Sequence, residues 1–143
     1  MITDFVRLYR AAPIERVRIV EEGVAANAVE EVARRMEVSK EKLASTLGLA
    51  RATIDRKVRE KKDLSSDASS RVLGVARLVG QVQAMVEESG NADAFDAAAW
   101  VAQWLDRPLP ALGGRRPAEF MSTSEGQDLV SDLVARMQTG AYS

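Results

Sequence analysis

An all-α chain is predicted, and three observations carry the prediction. Apolar residues recur at three- and four-residue spacings, no window alternates like a strand for long, and serines, glycines and prolines fall where the apolar stripes begin and end. With 46% apolar and 29% charged residues, the composition is that of a soluble globular protein, and 143 residues suffice for one medium domain or two small ones. The organisation read from the sequence has three parts: an N-terminal helical region over 1–35, a helix-turn-helix with a long following helix over 36–89, and a small helical C-terminal part over 90–143.

The first piece, residues 2–11, is a short helix or an arm ending before Pro13. Ile14, Val17 and Val20 then make an apolar stripe that Gly23 closes, and Val24, Ala28, Val29, Val32, Ala33 and Met36 make a second. Ser39 is placed to cap a helix carrying Leu43, Ala44 and Leu47, and after Gly48 a new helix runs over 51–60 with Ile54 and Val58 inward. Ser65 or Ser66 caps a long helix through Val72, Val75, Val79, Val82 and Val86. Gly74 and Gly80 interrupt it at some cost to helix stability, which a close approach of other elements would explain. Gly90 and Asn91 end it. Another helix is expected over 93–106 with Phe95, Ala98, Ala102 and Leu105, Trp100 and Trp104 alongside, and a last one from Ser124 through Leu129, Leu133 and Met137.

The chain contains neither cysteine nor histidine. Disulfides and thiolate metal sites are thereby excluded, and with them the usual general base and nearly all common zinc sites. No metal or cofactor is expected, and catalysis is not the expected role. Glu119, Glu125 and Asp128 near Arg115 can be drawn as an acidic cluster, but they lack the spacing of a base and a nucleophile. No apolar run approaches the roughly 20 residues of a membrane span. Asp4, Arg7 and Arg10 break up any signal-peptide core, so the cytoplasm is the expected location.

The net charge of −1 conceals an asymmetry. Residues 34–62 hold ten basic and four acidic side chains, whereas 87–106 hold five acids and no base. The basic segment coincides with a helix-turn-helix pattern over 40–59, in which Ala44 permits close helix approach and Gly48 supplies the positive φ of the turn. The second helix of such a motif enters the major groove of DNA. Here it exposes Arg51, Thr53, Asp55, Arg56, Lys57 and Arg59, and Lys61 and Lys62 continue the positive strip. Arg51, Arg56 and Lys57 can donate to guanine or to phosphate, and Thr53 can bond a phosphate or touch a thymine methyl. One feature departs from the usual pattern: three residues after Ile54 stands Lys57, and Val58 takes the buried role. Double-stranded operator DNA read by a homodimer is the expected partner, with the stripes around Val17, Val20, Val24 and Val29 or the long helix after Ser65 as dimer surfaces.

The segment WLDRPLPALGGRRPAEF departs from helical patterning with three prolines, a glycine pair and an arginine pair. In order, Trp104-Leu105, Pro108, Ala111-Leu112-Gly113-Gly114, Pro117, Gly126 and Gly140-Ala141-Tyr142 make a series that closely resembles the toxin-binding domain of Xre/MbcA/ParS antitoxins. The resemblance extends upstream through the helix-turn-helix to about Pro13. It implies a cognate RES-domain toxin that depletes NAD, an antitoxin that covers the toxin's active-site entrance, a higher hetero-oligomer of the two, and binding of the complex to its own promoter. Residues implied to meet the toxin are Trp104, Leu109, Leu112, Gly113, Gly114, Arg115, Arg116 and Phe120, with Gly140, Ala141, Tyr142 and Ser143 as a tail reaching the cleft. Several of the aromatic and aliphatic residues serve equally as core, and Arg115 and Arg116 are either rim ion-pair donors or solvated charges. The alternative function is a plain helix-turn-helix repressor whose C-terminal part oligomerises or senses a ligand.

Overall fold

The computed structural model describes residues 2–90 and 93–139 and is built from eight α-helices and two short 3-10 turns among those residues. In chain order the helices are α1 (Phe5–Arg10), α2 (Pro13–Glu22), α3 (Ala28–Met36), α4 (Lys40–Thr46), α5 (Arg51–Arg59), α6 (Ser66–Glu88), α7 (Ala97–Leu105) and α8 (Ser124–Thr139). The 23-residue α6 is the spine: α1, α2, α7 and α8 all pack along it. One hydrophobic cluster runs from Phe5 to Val134 through all three sequence segments.

Side-chain caps start the helices where short polar residues stand. Ser39 accepts from the Lys42 amide (3.0 Å), Ser65 from Ala68 (3.1 Å) and Asp96 from Ala99 (3.1 Å). Asp96 also explains why α7 begins at Ala97 instead of at 93: two aspartates could cap, and the later one does. The α6–α8 packing is registered by a polar pair of buried Gln81 and half-buried Ser131. Gln81 donates to the Ser131 carbonyl (3.0 Å), and the Ser131 hydroxyl donates back to Gln81 (2.8 Å).

Both glycines inside α6 face neighbouring elements. A Cβ on Gly80 would stand 1.9 Å from the Phe5 carbonyl oxygen of α1, and one on Gly74 would stand 1.8 Å from the Gln127 side chain of α8. Residues 2–11 are therefore no loose arm. Phe5 and Leu8 enter the core because Gly80 lets α1 lie against α6. Gly80→Ala is expected to cost about 1–3 kcal/mol, since backbone must move. Gly74→Ala should cost less, because a side-chain end instead of backbone has to move, at the expense of the Gln127 bonds to the Arg71 and Met121 carbonyls. Urea denaturation of the two variants checks the order.

Three other expectations are corrected by burial. The α2 stripe is formed but not covered, with Ile14 65% and Val17 48% exposed, whereas Val24 and Val29 are core residues closed to any partner. In α8 the inward face is Val130, Leu133 and Val134, and Leu129 points outward, one position off the expected stripe. Val58 is only half-buried, because α5 lies at the edge of the bundle and only Ile54 is fully covered.

Candidate functional site

The basic face is carried by α4 and α5. Leu47 is fully buried between them, Gly48 turns the chain at φ 69°, and the Leu49 amide donates to the Ala44 carbonyl (2.8 Å). Ala44 is also buried, as a close helix pair requires. Arg71 of α6 clamps this turn by donating to the carbonyls of Leu47 (3.1 Å) and Gly48 (3.0 Å), while its other nitrogen holds Asp67 (2.7 Å). Nothing local in the sequence marks Arg71 for this role, since α6 also carries Arg77 and several other polar side chains.

On α5, Arg51, Thr53, Arg56 and Arg59 are exposed, and Lys57 is half-buried beside Leu49 and Ala50 in the groove between α5 and the start of α6. Ala50 stands at the N-cap with no side-chain acceptor, so the first-turn amides of α5 are left for a phosphate or water. Two acids are interleaved among these bases. Asp55 pairs with Lys40 of α4 at 3.0 Å and lies 3.9 Å from Arg51, and the Lys40 ammonium holds its carboxyl below the ordinary aspartate range. Asp55 thus ties α5 to α4 within the chain. Glu60 accepts from Lys62 (3.2 Å) and Arg56 (3.3 Å), and Lys62, foremost, lowers its pKa. Lys61 adopts a left-handed φ of 55°, and this turn is fastened to the N-terminal region by Ala26 donating to the Lys62 carbonyl (3.2 Å) and Leu64 to Val24 (2.7 Å).

The proline-rich segment forms a rigid corner of two 3-10 turns, Pro110–Leu112 and Pro117–Phe120. Leu109 closes it: its amide donates to the Arg115 carbonyl (3.1 Å) and its carbonyl accepts from Gly114 (2.9 Å). Gly113 and Gly114 have φ of 66° and 86°, yet a Cβ on either would meet nothing within 4 Å. They are glycines for backbone conformation, and their backbone faces open space. Trp104 is 2% and Leu109 4% exposed, so these two pack beneath the corner in the free chain. Trp104 stacks on half-exposed Trp100 with ring centroids 5.9 Å apart, and Leu112 and Phe120 are also half-buried.

Arg115 and Arg116 are both engaged within the chain. The Arg115 guanidinium lies 4.5 Å over the Phe120 ring and donates to Glu119 (3.2 Å). Arg116 pairs with Asp106 (3.1 Å), and its amide donates to Glu119 (2.9 Å). The Arg116 amide, with the Arg115 side chain second, holds Glu119 below the ordinary glutamate range, the opposite of what a general acid at neutral pH needs. Asp106 also binds Lys42 of α4. Moreover, a Cβ on Gly48 would approach Ser122 to 2.9 Å, so the corner adjoins the helix-turn-helix directly, across a groove of about 390 Å³. Lys42 and Asp106 give no sign of each other in the sequence, since 64 residues separate them. Gly140, Ala141, Tyr142 and Ser143 lie outside the described residues.

Among the described residues, no helix is long and apolar enough to cross a membrane. Residues 15–77 match the antitoxin Xre-like helix-turn-helix domain, and residues 92–140 match the antitoxin Xre/MbcA/ParS C-terminal toxin-binding domain. Over 136 residues, 95% of this chain and 86% of the relative, the sequence is 43% identical to a protein of Sphingobium sp. (strain YBL2) named Prs ADP-ribosylating antitoxin. The first match contains the basic face and the second contains the corner.

Proposed function

The chain belongs to the Xre/MbcA/ParS antitoxins of toxin-antitoxin systems, and from that premise we propose that it neutralises a RES-domain, NAD-consuming toxin by covering its active site and binds its own operator to autoregulate transcription. The match of the toxin-binding domain over the rigid corner carries the reading. The corner offers the open backbone of Gly113 and Gly114, flanked by half-buried Leu112 and Phe120 and by Arg115 and Arg116 held in place by their acids. A surface already ordered in the free chain loses little entropy on docking. The relative's name carries ADP-ribosylation, a reaction that draws its ADP-ribose from NAD, which supports a partner with an NAD-binding cleft. The antitoxin itself performs no chemistry in this mechanism and acts by occlusion in the cytoplasm. The tail Gly140, Ala141, Tyr142 and Ser143 points into that cleft, and a homodimer presents two α5 helices to two half-sites.

Co-expression with the neighbouring gene of its operon tests the reading: the two chains are expected to purify together, and the mass of the complex gives its stoichiometry. Separate purification would overturn it. Deleting residues 140–143 should weaken neutralisation, read as recovery of cellular NAD, while operator binding stays intact. Full protection by the truncated chain would remove the tail from the mechanism.

A further inference from the structure

The chain places two arginines together in a groove lined by no residue of α5 and none of the corner. Arg16 of α2 and Arg77 of α6 both line a groove of about 390 Å³ between α2, α6 and the start of α8. Several arginines of the chain are paired with carboxylates, among them Arg10 with Glu88, Arg71 with Asp67 and Arg116 with Asp106. Arg16 and Arg77 lie within ion-pair distance of no carboxylate among the described residues, although Glu21 and Asp128 line the same groove. The Arg16 guanidinium donates to the Ala11 carbonyl, while the Nε of Arg77 is buried without any partner. Burial and, next, the like charge of Arg77 push the Arg16 pKa down. Such an arrangement is unfavourable in the free chain and becomes favourable once an anion sits between the guanidinia.

We propose that this groove binds the phosphate group of a small phosphate monoester. Acceptor number selects the class. A monoester offers three acceptor oxygens and about −1.5 to −2 charge at neutral pH, enough to bond both guanidinia at once, whereas a carboxylate or a DNA diester offers two free oxygens and a single charge. The groove is larger than a phosphate, and Pro13, Val17, Val20 and Leu73 supply an apolar wall for the rest of the molecule.

Thermal unfolding of the full chain at neutral pH and matched ionic strength, in chloride, inorganic phosphate or phenyl phosphate, tests the proposal. Both phosphates are expected to raise the midpoint of the parent more than that of Arg16→Gln or Arg77→Gln, with phenyl phosphate acting at lower concentration because it also uses the apolar wall. The variants carry any general salting effect of phosphate, so the difference from the parent is the readout. In chloride alone Arg77→Gln should melt at or above the parent, because a like charge near Arg16 has been removed, whereas Arg16→Gln also gives up the bond to the Ala11 carbonyl. Equal phosphate responses in parent and variants overturn the proposal. So does a clear loss of stability of Arg77→Gln in chloride, which would make that side chain structural. A loss of operator affinity without any phosphate response would assign the arginines to DNA and overturn it as well.

Discussion

Trp104→Ala is expected to lower the stability of the chain by about 3–5 kcal/mol, the cost of truncating a large buried aromatic. Trp104 is 2% exposed, and the cavity would open beneath the corner that Leu109 closes. Toxin neutralisation should fall with it, because the open backbone of Gly113 and Gly114 is held in place from below. Trp100→Ala is the control. Its ring is half-exposed and stacked on Trp104, so stability should fall much less. Denaturation midpoints together with co-purification of the toxin separate the two roles. If Trp104→Ala keeps near-parental stability yet loses the toxin, the residue is a contact after all, and the burial argument is wrong.

How much of this was legible in the sequence depended on whether a signal was local. The helix-turn-helix was readable because its requirements are local: an N-cap at Ser39, a small residue at Ala44, a positive φ at Gly48 and one buried Ile54. The motif series of the corner was readable because prolines and glycines fix backbone geometry in place. Packing between distant segments was not. The docking of α1 depends on the bare surface of Gly80, which the sequence shows only as a glycine in a helix. Likewise, Asp55 reads as part of an exposed basic helix until Lys40 is seen 3.0 Å away. Arg115 and Arg116 stood equally as rim donors or solvated charges. Their partners Glu119, Asp106 and the Phe120 ring become neighbours only once the 3-10 turns bring them together. Burial also sorted the residues implied to meet the toxin: Trp104 and Leu109 support the corner, and Leu112, Gly113, Gly114, Arg115, Arg116 and Phe120 remain on its accessible side.

Replacing both Arg51 and Arg56 with alanine is expected to weaken operator binding by about 30-fold to 10⁴-fold, since each arginine that reads a base contributes about 1–3 kcal/mol. Both side chains are exposed, and neither is held firmly in the free chain: Arg51 stands 3.9 Å from Asp55, and Arg56 shares Glu60 with Lys62. Surface pairs of this kind contribute at most about 1 kcal/mol, so both guanidinia can turn toward DNA at little cost. Discrimination between operator and unrelated duplex should collapse along with affinity. Lys61 and Lys62 provide the contrast. They follow α5 in a turn fastened to residues 24–26, where they can meet the sugar-phosphate backbone but not the base edges reached by the start of the helix. Their double alanine variant should therefore weaken operator and unrelated duplex alike. It should also lower the steepness of log K against log salt by about 0.9 for each phosphate that is no longer neutralised. Fluorescence anisotropy at several salt concentrations distinguishes the two patterns. Unchanged operator affinity in the arginine pair would show that α5 is not the helix that reads the sequence.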